Sequence, residues 1–152
     1  MRAVAQRCRA AEVRVAGDLV AEIGQGLCVF VAAGRDDGSD DVRYVAAKLA
    51  GLRIFPRPGS DRRMDLSLAE VGGTLLLVPQ FTLYGDTRHG LRPDFRAAAN
   101  PEAGRALLAD LTGALRAAGV VVAEGVFGAD MRVLVENDGP VTIWIESPRR
   151  GD

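Results

Sequence analysis

Apolar residues recur along this chain with two different spacings. Over the first third they alternate with polar residues or run together briefly, which predicts strands over Ala3 to Arg7, Glu12 to Val15 and Leu19 to Ile23. Ala16-Gly17-Asp18 predicts a hairpin turn between the last two. Gly24-Gln25-Gly26 turns the chain into Leu27 to Ala33, an unbroken apolar run suited to a central strand. The spacing then becomes helical. Behind the polar loop Gly34 to Asp41, Val42, Val45, Ala46 and Leu49 fall at i, i+3, i+4 and i+7. They predict a helix over Asp41 to Ala50, capped by Ser39 and Asp40 and ended by Gly51.

Leu52 to Phe55 reads as a strand broken by Pro56-Arg57-Pro58-Gly59, and a short helical turn is expected near Leu66 to Val71. Gly72-Gly73 leads into Thr74 to Tyr84, a strand whose pairing should loosen or stop at Pro79, which has no amide hydrogen. A polar loop from Gly85 to Pro93 carries Arg88, His89 and Arg92. Asn100-Pro101-Glu102 sets out an N-cap, a first-turn proline and a first-turn acid, so a second helix starts there. Leu107, Leu108, Leu111, Ala114 and Leu115 form its apolar stripe, and Gly119 ends it. Strands are predicted over Val120 to Ala123, Met131 to Val135 and Val141 to Glu146. The expected fold class is α/β in the α+β sense: a largely antiparallel sheet of short strands with two main helices, in one domain over 1–147, followed by a frayed tail over 148–152.

Composition narrows the chemistry. A chain of 152 residues buries roughly 70% of its unfolded surface, enough to hold a core without metal or disulfide. Its 19 basic and 20 acidic side chains leave a net charge of −1, which argues against coating long nucleic acid. Of the basic residues only Lys48 is a lysine, and His89, Cys8 and Cys28 complete the soft donors. No structural metal site and no cofactor are expected from that set. Lys48 follows Ala47 rather than a phosphate-loop glycine, Gly24-Gln25-Gly26 lacks the third glycine of a dinucleotide fingerprint, and Asp36 to Asp41 lacks the closing Glu of a calcium loop. A Ser-His-Asp hydrolase would depend on His89, and no Gly-x-Ser-x-Gly turn presents a serine. Cys8 and Cys28, in apolar strands, read as reduced, inert core residues. With charges throughout its first nine residues and no apolar run of membrane-spanning length, the chain is expected to be soluble and cytoplasmic, with no membrane partner. A hydrolase of this composition has to work through backbone dipoles, each preorganised donor being worth about 3 to 4 kcal/mol.

Two segments carry more. Pro79-Gln80-Phe81-Thr82-Leu83-Tyr84-Gly85-Asp86 places a Gln, an aromatic and a Thr beyond a proline break, where amides released from a ladder can bind a ligand carbonyl. Residue types alone favour a plain strand end, with Phe81 and Tyr84 in the core and Thr82 as an ordinary β-former. Asn137-Asp138-Gly139-Pro140-Val141-Thr142 lies between two strong strands. Asp-Gly suggests a hairpin, and Pro140 makes the preceding peptide bond either an ordinary trans turn or a cis bond.

Gln80-Phe81-Thr82-Leu83-Tyr84 and Asn137-Asp138-Gly139-Pro140-Val141-Thr142 resemble the two signature motifs of the D-aminoacyl-tRNA deacylases. The likeness extends over Met1 to about Ser147 through Met1 to Arg7, Leu52 to Phe55, Leu66 to Leu68, Val71 to Gly73 and Phe127-Gly128-Ala129-Asp130-Met131. It implies a barrel-like homodimer with its active site at the interface, acting on the aminoacylated 3′ end of tRNA. By the same resemblance Gln80, Phe81 and Thr82 line the catalytic pocket, and main-chain groups of Phe81 and Thr82 hold the aminoacyl end. Gly139 and Pro140, in cis and from the partner subunit, exclude L side chains, with Arg7 steadying them. Phe127, Gly128, Ala129 and Met131 pack around the terminal adenosine. Glycyl-tRNA, with no side chain to exclude, is then also a substrate. The attacking group is either Thr82 or, better suited to a site without a visible base, water assisted by the substrate's 2′-hydroxyl. The family usually has Ser at the position of Pro79. Proline there resembles the animal relative that clears L-alanine from the wrong tRNA, or suits a non-catalytic nucleic-acid-end binding dimer, whereas Phe81, Arg7 and Asn137-x-Gly139-Pro140-Val141 resemble the D-selective enzyme.

Overall fold

The chain opens on one long strand, β1 (Arg2–Val15), where the spacing predicts two pieces. Cys8 and Ala11 keep the strand buried across the gap, now in a second core cluster from that of Ala3 and Ala5, and two register shifts against its neighbour absorb the change of phase at Arg7 and Arg9. A computed structural model describes residues 1–60 and 64–148. The tail expected over 148–152 therefore lies, beyond Pro148, outside the described residues. β2 (Asp18–Ile23) returns on β1 through Ala16 and Gly17, both at positive φ, as a tight hairpin requires.

β3 (Gly26–Ala32) pairs antiparallel with the first half of β1, and β4 (Thr74–Pro79) and β5 (Val121–Glu124) add to it in parallel. Parallel neighbours need crossovers, and the two helices supply them. Helix α1 (Ser39–Gly51) joins β3 to β4, and α2 (Pro101–Ala117) joins β4 to β5. The sheet is thus mixed: β1 makes three antiparallel pairings, with β2, β3 and β6 (Met131–Glu146), beside the two parallel ones. The result is a barrel-like sheet with two helices packed on it.

The apolar runs are continuous because β3 and β4 are covered on both faces. Leu27, Val29, Val31, Leu75 and Leu77 meet Val42, Val45 and Leu49 of α1 and Leu108, Leu111 and Leu115 of α2. Cys28, Leu76 and Val78 point the other way, toward Cys8, Ala11, Val13 and Ile23.

Several boundaries differ from the sequence reading. α1 begins two residues earlier, with Gly38 as its N-cap and the Asp41 carboxylate accepting the Gly38 amide at 2.8 Å, so Ser39 and Asp40 lie inside the helix. α2 starts as expected, Asn100 Oδ1 accepting from the Ala103 amide at 2.9 Å. Leu52 to Phe55 is no strand; only Phe55 forms a bridge, to Leu66. Pro79 ends β4 outright, and Phe81–Tyr84 forms a 3₁₀ turn. The two strands predicted over 131–135 and 141–146 are a single strand, β6, which follows β1 from end to end with no hairpin at Gly139.

Both cysteines are free and buried. Burial pushes the Cys28 thiol from 9.0 up to about 12, and burial raises Cys8 as well. Native protein should leave a thiol reagent unconsumed at pH 8 and yield both thiols on unfolding, and reaction in the native state would show these strands to be open. The native state also keeps protons that the unfolded chain has lost above pH 9, so melting temperature should fall as pH rises from about 9 toward 12.

Candidate active site

Pro79 breaks the ladder, and the backbone immediately after it changes partners. The Gln80 amide donates to Val31 O at 2.8 Å; the next bonds are Leu83 N–H to Gln80 O at 3.1 Å and Gly85 N–H to Thr82 O at 2.9 Å. The amides of Phe81 and Thr82 precede the first donor of the turn, so the turn itself does not use them. The turn is fixed from its far end. Arg2 donates to Leu83 O at 3.0 Å and lies 4.4 Å above the Tyr84 ring. The Tyr84 hydroxyl donates to Asp37 at 3.1 Å, and burial followed by the nearby Asp37 carboxylate raises its pKa well above 10. Gly34 passes close to that ring, where a Cβ would lie 2.6 Å from the Tyr84 oxygen.

Phe81 is 58% exposed, against a core role, and meets Phe95 edge to face at 5.2 Å. The Thr82 hydroxyl is exposed and accepts from the Gln80 carboxamide. Among the described residues its recorded partner is thus a donor, not a base. His89 stands exposed in the following loop. Arg88 is engaged with Asp86, which it holds far below the usual carboxylate range.

A cleft of about 300 Å³ brings Gln80 and Phe81 together with Phe127, Gly128, Ala129 and Met131; Thr82 lies just outside its lining. Helix α2 shapes one wall. Gly104 faces the Phe127 ring, which a Cβ would touch at 3.5 Å, and the Arg105 guanidinium lies 4.6 Å over the same ring. Sequence reasoning missed this pair. The signal in the sequence is Gly104, a buried glycine in an Ala- and Leu-rich helix, where glycine costs about 0.5 to 1 kcal/mol relative to alanine, although a Cβ there would make only ordinary contact with the ring.

The second motif lies elsewhere. β1 and β6 are in register at Gln6 and Thr142 and again at Cys8 and Asn137, so Asp138 to Val141 face the single residue Arg7. The surplus residues stand out as a protrusion with Gly139 and Pro140 exposed; the bond between them is cis, and Gly139 has φ 123°. Arg7 holds this protrusion. It donates to Ile54 O at 2.6 Å and to Asp138 O at 3.2 Å, and its Nε lies 3.3 Å from the Asp138 carboxylate, which also pairs with Arg9 at 3.0 Å. Neither Gly139, Pro140 nor Arg7 is among the residues lining the cleft. No group of three or more His, Cys, Asp or Glu side chains comes together as a metal site among the described residues.

The model of the family described as D-Tyr-tRNA(Tyr) deacylase matches residues 4–146. The chain belongs to that family. It is 52% identical over 149 residues to the D-aminoacyl-tRNA deacylase of Anaeromyxobacter dehalogenans (strain 2CP-C), spanning 98% of this chain and 99% of the relative. The corresponding deacylase of Thermus aquaticus is 47% identical, over 99% of this chain and 97% of its own length. Among solved structures, one titled c-Myc DNA Unwinding Element Binding Protein superposes with a TM-score of 0.91 at 34% identity, covering 98% of this chain and all of the other. A probable eukaryotic D-amino acid tRNA deacylase has a TM-score of 0.81 at 22% identity, over 96% and 98% of the two chains, a likeness of fold. The chain is accordingly a hydrolase, a D-aminoacyl-tRNA deacylase. The deacylase contains no helix long and apolar enough to cross a membrane among its described residues.

Proposed function

We propose that this deacylase cleaves the ester of D-aminoacyl-tRNA, and of glycyl-tRNA mischarged onto the wrong tRNA, as a homodimer in the cytoplasm. L-aminoacyl-tRNA is rejected by Gly139 and Pro140 of the partner subunit. The supporting observation is that each motif exposes backbone groups at its own place on one chain. Phe81 and Thr82 present amides left unused by their turn, and the protrusion presents Gly139 and Pro140. Two copies apposed would bring these halves together, and the groups they offer would contact what every amino acid shares, so that handedness, not side-chain identity, decides entry.

The reaction is then electrostatic in character. Water, its proton drawn toward the 2′-hydroxyl of the terminal ribose, adds to the ester carbonyl. The Phe81 and Thr82 amides take up the developing oxyanion, and the bond to the 3′-oxygen breaks as that oxygen is protonated. The cleft beside Phe127 is of a size for the adenine, since small-molecule sites begin at about 300 Å³. A net charge of −1 suits a grip on the last nucleotide alone, helped by a few local arginines such as Arg92, whereas Arg88 is spent on Asp86.

The deciding experiment is release of tyrosine from D-tyrosyl- and L-tyrosyl-tRNA, with D expected at least about a hundredfold faster; equal rates would overturn the reading. Pro79 favours a second reading, editing of L-alanine, which rapid release from L-alanyl-tRNA would support. Retention of tRNA without release of any amino acid would mark a binding protein instead. Thr82→Ala should keep turnover within about tenfold of wild type, because only a hydrogen bond with Gln80, worth about 0.5 to 1.5 kcal/mol, is lost. A fall of about 10⁴-fold would make Thr82 the nucleophile.

A further inference from the structure

We infer that Asn137 is the positioning residue that fixes how the Gly139–Pro140 protrusion is presented, and through it the preference for one enantiomer; the inference rests on the role proposed above for that pair. Where four residues of β6 oppose one of β1, the ladder cannot supply partners at the neck. Two carbonyls stand there: Arg7 O on β1 and Val141 O at the far side of the protrusion. The Asn137 carboxamide donates to both, at 2.9 Å to Arg7 O and 3.0 Å to Val141 O. Both partners are acceptors, so they determine which end of the amide is nitrogen. One side chain thereby ties the near end of the protrusion to its far end and to the opposite strand.

The other fastenings act further along. Arg7 and Arg9 grip Asp138, the first residue of the protrusion, and leave its return at Val141 untouched. Asn137 alone among these side chains bonds to that return. The chemistry is demanding of residue type. Asp would set a carboxylate against two carbonyl oxygens, Ser has one hydrogen for two acceptors, and Gln reaches one methylene too far. Asn137 touches neither Gly139 nor Pro140 through a recorded bond, so its influence passes through the backbone it holds.

The test compares full-length wild type with Asn137→Ser and Asn137→Asp on D-tyrosyl- and L-tyrosyl-tRNA, well below each melting temperature. The ratio of D to L kcat/KM should fall in the order Asn, Ser, Asp, by at least about tenfold at Asp, since a displacement of an ångström at a reacting site can cost about a hundredfold. A merely structural residue would lower both rates together as the folded fraction drops, and an unchanged ratio in folded variants overturns the inference. Should Asn137→Asp fail to fold, Asn137→Ser, which keeps one of the two hydrogen bonds, carries the decision. A wild-type enzyme that does not separate D from L refutes the role of Gly139–Pro140 itself; discrimination in wild type that persists in the variants refutes only the role of Asn137.

Discussion

Gly139→Ala is expected to lower kcat/KM on D-tyrosyl-tRNA by about a hundredfold or more while the protein remains folded. The φ of 123° lies where L side chains are strained, at a cost of about 1 to 3 kcal/mol. Space is short as well: a Cβ at residue 139 would lie 2.9 Å from Arg7 Nη2, 2.9 Å from Val141 Cγ2 and 3.3 Å from the Val141 amide nitrogen. A free arginine tip could swing aside, but this guanidinium is anchored on Ile54 O and Asp138 and cannot yield without releasing the protrusion. The strain therefore falls on the presented backbone, not on the core, where only Val141 of this segment is buried. Gly17→Ala is the control. It too replaces a glycine at positive φ, 93°, yet in an exposed hairpin with nothing within 4 Å of the new carbon, so it should cost some stability and no activity. Single-turnover rates and thermal melts of both variants make the comparison, and wild-type rates for Gly139→Ala would remove the protrusion from the mechanism.

The same segment illustrates what a sequence can and cannot disclose. Asp138-Gly139-Pro140 carries turn chemistry, and turn chemistry serves a hairpin and a protrusion equally well. Which one forms is decided by β1, some 130 residues away, which pairs with β6 on both sides of the interruption. Local signals with local causes were legible: the apolar face of α1, the Asn100 cap of α2 and the arrest of pairing at Pro79. The parallel pairings were not, because reading Leu52 to Phe55 as a strand placed a false element between α1 and β4 and hid the crossover from β3 to β4. The site divides in the same way. Gln80, Phe81 and the 127–131 stretch, each visible as a short segment of sequence, line one cleft without Thr82, whereas the contributions of Gly104 and Arg105 depend on how α2 leans on Phe127, which no periodicity encodes.

Gly26→Ala is expected to damage the fold more than any other single methyl addition considered for this chain. In sequence the residue looks like the end of a turn; in the structure it is buried at the start of β3, opposite Cys8 on one side and Thr74 on the other. A Cβ there would sit 1.8 Å from Thr74 O, 2.9 Å from Thr74 C and 3.0 Å from Thr74 N. All three are backbone atoms, so no rotamer change relieves the overlap. Relief requires β4 to move away from β3 at the first rung of their ladder, where the Thr74 amide also bonds to Gln25 O at 3.2 Å. Leu27 and Leu75, fully buried one residue further on, would lose contact with it. Overpacking commonly costs about 1 to 3 kcal/mol. A clash between two main chains belongs above about 4 kcal/mol, a large part of the roughly 5 to 15 kcal/mol that holds a domain folded. At about 2 to 4 °C per kcal/mol for a chain of this size, the melting temperature should fall by about 10 °C or more. Gly24→Ala, two residues earlier, meets open space at an ordinary φ and should leave the melt unchanged or raise it slightly, because alanine restricts the unfolded chain. If Gly26→Ala instead melted with Gly24→Ala, β3 and β4 could not be in the close contact that sets the position of Pro79 and, beyond it, the amides of Phe81 and Thr82.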